Sequence, residues 1–428
     1  MHYVIIGAGP TGVLAAEHLR KLDEQSDITI IGDEPEPPYS RMAIPYHLIG
    51  NIEEKGTYLR KEDGHYDKLN ITVRRALMTK LDREAKTVTL DNGDTVNYDK
   101  LLIATGSHPI QPPIPGIDLP QVSTCWTLED ARKIIELSGE HSKVVLMGAG
   151  FIGSIVLEAL ALRNVDLTVV EMGDRMVPRM MNQTAGNLLR SWAESKGVTV
   201  HTSTKIESIR ATKSRWWRKA KHPLKVHLDH GAELDADLVI SAAGVRSNFD
   251  FLEGTGIETD KGILVNDHLQ TNDPCIYAGG DVAQGRDFST GEYTVQAIQP
   301  TAAEHAKIAA NNMVRDNSVS HRGSVNMNVL DTLGLISTSF GLWMGVDGGD
   351  TAELLDEPNF RYIQLQFDDN TLVGASSLGM TQHMGVVRGL IQSATPLGEW
   401  KARLMDDPTR VMEAYLATVQ SQTTAAKV

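Results

Sequence analysis

Cysteine is almost missing from this chain. Cys125 and Cys275 are the two in 428 residues, and they stand far apart. That spacing excludes a disulfide framework, a paired-cysteine metal site and a dithiol motif, and it reads as two buried structural thiols. No other spacing points to a metal. Excess positive charge is missing too. The formal net charge is −14, which favours solubility and argues against a general nucleic-acid binder, although a local basic patch can override the total. No apolar run approaches the ~18 residues of a membrane span, and no basic-then-apolar leader precedes the first strand, so the expected location is the cytoplasm, with no membrane span. The length exceeds what one compact core accommodates and suits about three domains.

The segment around which the chain is organised lies at its start. Residues 3–6 read as a short, continuously apolar strand. Gly7, Gly9 and Gly12 follow at Gly-x-Gly-x-x-Gly spacing, before an apolar-periodic helix through Val13, Leu14, Ala16, Leu19 and Leu22. The first glycine allows a tight turn, the second lets a pyrophosphate approach the backbone, and the third lets helix and strand pack closely. Residues 28–31 form the next strand and run into Asp33 and Glu34. An acid there hydrogen-bonds an adenosine ribose; Glu34 is the better candidate and Asp33 the second.

Residues 35–46 are proline-rich through their first half and read as an extended loop. A hairpin is expected from residues 87–90 and the Asn92-Gly93 turn, and residues 101–104 form a buried strand ending in Thr105-Gly106. The proline-rich stretch 109–120 marks a domain boundary. From Lys143 the opening unit is written again: a strand at 144–147, Gly148, Gly150 and Gly153, a helix through residues 155–162, and a strand at 167–170 ending in Glu171. Two such units imply two dinucleotides, for example a flavin and a nicotinamide cofactor. Glu171 would repel a 2′-phosphate, so NADH is preferred to NADPH; Arg175, four residues on, weakens that preference without reversing it.

Between Lys205 and Lys225 there are eight Lys or Arg residues against the single acid Glu207, with Trp216 and Trp217 at the centre and strand-like flanks. This hairpin tip is either a solvated loop or a docking surface for an acidic partner. A strand end at Gly279-Gly280-Asp281 precedes a helix over about residues 300–313. Beyond residue 323 the pattern changes to strands near 325–329, 361–367 and 372–378 and helices from about 386 and 408, a third, α+β domain with a frayed tail at 421–428.

Taken in this order and spacing, Gly7-Gly9-Gly12, Thr105-Gly106, Gly148-Gly150-Gly153 and Gly279-Gly280-Asp281 resemble the FAD-dependent pyridine nucleotide-disulfide oxidoreductase superfamily. The branch is that of rubredoxin and ferredoxin reductases, nitrite-reductase flavoproteins, NADH oxidases, coenzyme A-disulfide reductases and apoptosis-inducing factor. The resemblance covers residues 1 to roughly 380. It implies an α/β fold of two Rossmann-like domains, one inserted in the other, plus a C-terminal α+β domain. The bounds would be 1–112 and 246–322 for FAD, 113–245 for NADH, and 323–428 for the cap. Carried over by position, Gly7, Gly9, Gly12, Glu34 and Arg41 would hold the FAD pyrophosphate and ribose, Thr105 and Gly106 would complete that site, and Asp281 would contact the ribityl chain. Gly148, Gly150, Gly153 and Glu171 would hold NADH.

The departures narrow the class. Where disulfide and peroxide reductases carry a redox cysteine, this chain has Met42, and a thioether is no thiolate nucleophile. Ferredoxin reductases of oxygenase systems carry a Lys/Glu pair near the flavin; here the segment is Arg41-Met42-Ala43-Ile44-Pro45-Tyr46 and the second position is Ile155. Glu158, one turn on, is either a partial substitute or an exposed or capping glutamate. The resemblance implies an NADH-dependent FAD reductase that hands electrons to a ferredoxin- or rubredoxin-like carrier, with no side chain assigned acid–base catalysis and a homodimer compatible with the pattern. The alternatives are an NADH oxidase or quinone reductase and a redox-sensing interaction protein of the apoptosis-inducing-factor type.

Overall fold

The computed structural model describes residues 1–212 and 221–425, with side chains described as far as residue 418. Its chain divides into two compact units: Met1–His47, Ile52–Pro109 and Val245–Ser324 form one, and Leu48–Asn51, Ile110–Gly244 and Val325–Val428 the other.

The first unit is built on a five-stranded parallel sheet in the order Ile276–Ala278, Lys100–Ile103, His2–Ile6, Asp27–Gly32, Ile71–Arg75. Its central strands are continuously apolar because both faces are covered: Val4, Ile5, Leu101, Leu102 and Ile30 have no exposed surface. The helix Pro10–Leu22 starts with its proline in the first turn, where no amide hydrogen bond is lost. It packs along the helix Gln299–Val314. The expected hairpin is present as Thr87–Leu90 paired with Thr95–Asn97.

The second unit repeats the plan. Its parallel sheet runs Thr199–His201, Asp166–Val170, Lys143–Met147, Leu238–Ser241, Val122–Ser123. The unit also holds an antiparallel five-stranded sheet in the order Met327–Thr332, Leu335–Gly341, Thr371–Leu378, Arg361–Asp368, Asp350–Asp356. The helix Met384–Ser393 lies on that sheet.

Three local expectations change. Residues 35–46 are not all extended: a 3-10 turn at Arg41–Ala43 leads into the helix Ile44–Ile49, with Pro45 in its first turn. The tail does not fray at 421, because the helix Val411–Ala425 runs on. Two strands of the antiparallel five-stranded sheet, Leu335–Gly341 and Asp350–Asp356, carry no apolar alternation in sequence. That sheet instead buries hydroxyls: Ser337, Thr338, Ser376 and Ser377 are all enclosed, and Thr338 and Ser377 hydrogen-bond across the strands at 2.8 Å. The flanks of the basic hairpin, Ile206–Ala211 and Leu224–Leu228, pair as expected, whereas its tip, with Trp216 and Trp217, lies outside the described residues.

Candidate functional site

Both glycine turns have one geometry. Gly7 has φ +114° and its N–H donates to Ile31 C=O at 2.7 Å; Gly148 has φ +101° and donates to Val170 C=O at 2.8 Å. A Cβ on Gly7 would stand 2.0 Å from Ala104 O, and one on Gly148 2.6 Å from Ala242 O. At the third position a Cβ on Gly12 would meet Gly7 O at 2.0 Å and one on Gly153 would meet Gly148 O at 2.1 Å. Gly9 and Gly150, by contrast, have nothing within 4 Å of that position. Each turn is therefore sealed where backbone meets backbone and open at the middle glycine, the shape that an extended pyrophosphate requires.

Around the first turn the structure gathers residues from four parts of the chain. Gly279 and Gly280 pack on Thr11, their would-be Cβ atoms falling 3.2 Å from Thr11 Cγ2 and 2.5 Å from Thr11 Oγ1. This brings Asp281 beside the fingerprint. Ser107 Oγ donates to the Asp281 carboxylate at 3.0 Å and Ser247 Oγ to its main-chain carbonyl at 2.7 Å. Burial pushes the Asp281 carboxyl above its ordinary value, while the Ser107 hydroxyl and the charge of Arg41 pull it back. Thr105 and Asn248 bond reciprocally, Thr105 Oγ1 to Asn248 C=O at 2.7 Å and Asn248 Nδ2 to Thr105 C=O at 2.8 Å. Gly106 has φ +67° and accepts from Asn248 N–H at 2.9 Å.

Glu34 is half-buried and paired: Arg41 Nη2 donates to it at 2.5 Å, Arg41 Nη1 donates to Tyr39 OH at 2.8 Å, and Tyr39 OH donates to the same carboxylate. Asp33, the second candidate, is exposed. Glu171 behaves differently. It turns onto the second turn itself, accepting from Ala149 N–H at 2.6 Å and Gly173 N–H at 2.7 Å.

Beneath Gly280 lies His305, 3% exposed, whose Nδ1 accepts from Gly280 N–H at 3.2 Å. Burial holds its imidazole well below its ordinary value, at about 3. His305, Ser107, Ser247 and Tyr39 escape sequence reasoning, because nothing in local spacing marks a side chain whose partner is supplied by the fold.

Glu158 is neither exposed nor a cap: it sits inside the helix Phe151–Ala161, half-buried, and burial together with the Asp331 carboxylate pushes it up to about 7. Met42 is 47% exposed on its short turn. Cys125 and Cys275 are free and partly rather than fully buried, and burial pushes the Cys125 thiol up to about 12. Lys225, counted among the basic residues of the hairpin, binds Asp235 at 3.1 Å and Glu233 at 3.4 Å, so part of that positive charge is met within the sheet. Among the described residues no helix is long and apolar enough to cross a membrane.

Comparison with known proteins agrees with this geometry. A family model described as pyridine nucleotide-disulphide oxidoreductase matches residues 1–309. The epsilon subunit of an NADH-dependent phenylglyoxylate dehydrogenase from Aromatoleum evansii is 30% identical over 412 residues, 96% of each chain. A rubredoxin-NAD(+) reductase from Ectopseudomonas oleovorans is 29% identical over 315 residues, 73% of this chain and 80% of that one. Among solved structures, an NAD-dependent persulfide reductase from A. fulgidus superposes with a TM-score of 0.84 at 28% identity, covering 93% of this chain and 78% of the other. The chain belongs to the pyridine nucleotide-disulphide oxidoreductase family, flavoprotein enzymes that take electrons from NAD(P)H.

Proposed function

We propose that this chain is an NADH-dependent FAD reductase that delivers electrons to a small iron–sulfur or rubredoxin-like protein. The observation that carries the reading is the repeated turn: two glycine cradles of one geometry, each followed by a strand that ends in an acid. A bound FAD would supply the hydride acceptor for NADH and a donor of single electrons.

The chain's own residues bind and orient. On this reading 1–112 and 246–322 form the FAD domain, 113–245 the NADH domain and 323–428 the C-terminal α+β domain. Gly9 would leave room for the FAD pyrophosphate, Gly7 and Gly12 would shape its turn, Glu34 and Arg41 would take the ribose and phosphate, Thr105 and Gly106 would line the adjoining strand end, and Asp281 would hold the ribityl chain. Gly148, Gly150 and Gly153 do the same for NADH, with Glu171 at the ribose. Transfer needs position and electrostatics rather than a proton donor, so no side chain is given an acid–base role. Met42 argues against the disulfide and peroxide chemistries, for which the resemblance places a thiolate there.

The Aromatoleum relative favours a second reading at the level of assembly. It is a subunit and matches this chain nearly end to end, so on that reading the electron carrier of this chain is a partner subunit rather than a free protein. The proposed location is the cytoplasm. Stopped-flow mixing of the NADH-reduced protein with oxygen, a quinone, a ferredoxin and a rubredoxin tests the function. Fast reoxidation by a carrier protein and slow reoxidation by oxygen is the expected result; the reverse order identifies an NADH oxidase. Native mass measurement of the endogenous protein separates the free reductase from the subunit.

A further inference from the structure

The Arg175 guanidinium is the one cation near the second turn to which sequence gives a ligand role, that of meeting a 2′-phosphate. In the structure its donors have other acceptors. Nε donates to Met181 C=O at 2.9 Å, Nη2 to Pro178 C=O at 3.2 Å and Nη1 to the Asp174 carboxylate at 2.6 Å. The side chain lies with the Met176 carbonyl across Gly186 of the helix Gln183–Ser195, where an added Cβ would stand 2.7 Å from Met176 O, 2.9 Å from Arg175 Cβ and 3.1 Å from Arg175 Cδ. The guanidinium therefore faces its own loop.

That loop has fixed ends and a disfavoured middle. It leaves Glu171 and closes at Asn182, which caps the helix at Ala185 N–H (2.9 Å) and donates through Nδ2 to the buried Tyr362 hydroxyl at 2.5 Å. Between these ends Val177 has φ +42°, a left-handed conformation in which a β-branched side chain crowds its own backbone. The loop holds that conformation only if other bonds impose it. From it, Val177 N–H donates to Ala149 C=O at 2.8 Å, while Ala149 N–H donates to Glu171 at 2.6 Å. Both polar groups of the residue between Gly148 and Gly150 are thereby pinned.

We propose that Arg175 is a positioning residue for the second glycine turn: it holds the loop after Glu171 in the strained form that pins Ala149, and with its donors so engaged it does not serve a 2′-phosphate. The inference rests on reading this turn as the nicotinamide dinucleotide site. Preorganisation then acts on affinity: the ligand meets a turn already shaped, and its binding does not have to order the loop.

The test is calorimetric binding of NAD⁺ and NADP⁺ to the FAD-loaded full-length chain, with KM and kcat for NADH measured beside it. Arg175→Gln should weaken NAD⁺ about tenfold, the order expected when charge-assisted bonds are lost, leave NADP⁺ no tighter, and raise KM while kcat is kept. Adding Val177→Gly should recover at least about threefold of the NAD⁺ affinity, because glycine adopts the left-handed backbone without crowding. Arg175→Lys keeps the charge and loses the planar fork, and should weaken NAD⁺ as well; it carries the test if Arg175→Gln does not fold. Unchanged NAD⁺ binding in Arg175→Gln, loss of NADP⁺ binding alone, or no recovery with Val177→Gly would each overturn the inference. A wild-type chain that binds no NAD⁺ would instead overturn the proposed function, which keeps the two failures distinct.

Discussion

At the first glycine turn the acid after the second strand is held by side chains: Glu34 is gripped by Arg41 and Tyr39. At the second, Glu171 folds back and accepts from the backbone of Ala149 and Gly173. The surroundings differ in the same sense. Behind the first turn stand Ala104 and Gly280, with His305 beneath, all distant in sequence, whereas the second is backed by Ala242 and in addition by the loop that follows Glu171. A turn buttressed by distant segments suits a ligand that stays; a turn shaped in addition by an adjoining loop suits a ligand that binds and leaves each cycle.

The largest effect expected from breaking this comparison comes at the open glycines. Gly9→Val places a side chain where the pyrophosphate lies and should yield folded protein with FAD occupancy below about a tenth, while Gly150→Val should keep its flavin and lose reduction by NADH. Absorbance of the purified variants, before and after NADH, decides it; a fully yellow Gly9→Val would remove the FAD assignment from this turn.

At the sealed positions the same chemistry should strike the fold instead. Gly12→Ala forces a Cβ into Gly7 O and should cost about 1–3 kcal/mol or more of stability, with Gly153→Ala close behind, while Gly9→Ala changes the melting temperature little. Equal melting temperatures for Gly9→Ala and Gly12→Ala would contradict the geometry.

Next in size is cofactor choice. NADH should be preferred over NADPH by at least about tenfold, roughly 1.4 kcal/mol, and Glu171→Gln should shrink that ratio. Because Glu171 also bonds the turn, this variant should weaken NADH itself, which separates it from a residue that only repels phosphate. Kinetics with both reductants provide the ratio.

Two titrating groups shifted by burial, one in each unit, extend the comparison to pH. His305 titrates at about 3 when folded against an ordinary 6.5, so its contribution to stability is complete above pH 6.5 and is lost as pH falls toward 3. Glu158 lies on the opposite side: its folded value, about 7, is above the ordinary 4.5, so the ionised form is disfavoured and stability declines as pH rises through that interval. Glu158→Gln should raise the melting temperature at pH 8 and not at pH 4, and His305→Gln should flatten the acid limb. Melting curves of both variants across pH 4 to 8 provide the check.

The smallest effect is expected at the cysteines. Replacing Cys125 and Cys275 together by serine should leave turnover intact, with some loss of stability at Cys125. A mixed disulfide trapped on either residue during turnover would place the protein among the thiol-dependent reductases.

Much of the nucleotide-binding scaffold is legible in the residues themselves, and for a definite reason. Residues 3–6 and 144–147 are apolar without interruption, as strands buried on both faces must be, and the glycine spacing that follows each reflects close contacts between the turn and the helix it opens. The antiparallel five-stranded sheet is less legible. Its strand Leu335–Gly341 buries serine and threonine, whose polarity reads as loop until Ser377, some forty positions on, supplies the partner.

Residue type and short-range sterics are enough to specify the two glycine turns, the acid after each second strand and the thioether at Met42 in place of a thiol, and all of these stand in the sequence alone. Which acceptors the polar side chains find is settled only when distant segments fold together. Glu34 and Arg41 stand seven residues apart and no local rule pairs them; Asp281 reaches Ser107 only because the sheet sets Ile276–Ala278 beside Lys100–Ile103. Arg175 shows the difference most plainly. Its charge and its place after Glu171 are facts of sequence, but a guanidinium goes to whichever acceptors folding brings within its reach, and here those are the Met181 and Pro178 carbonyls and the Asp174 carboxylate of its own loop.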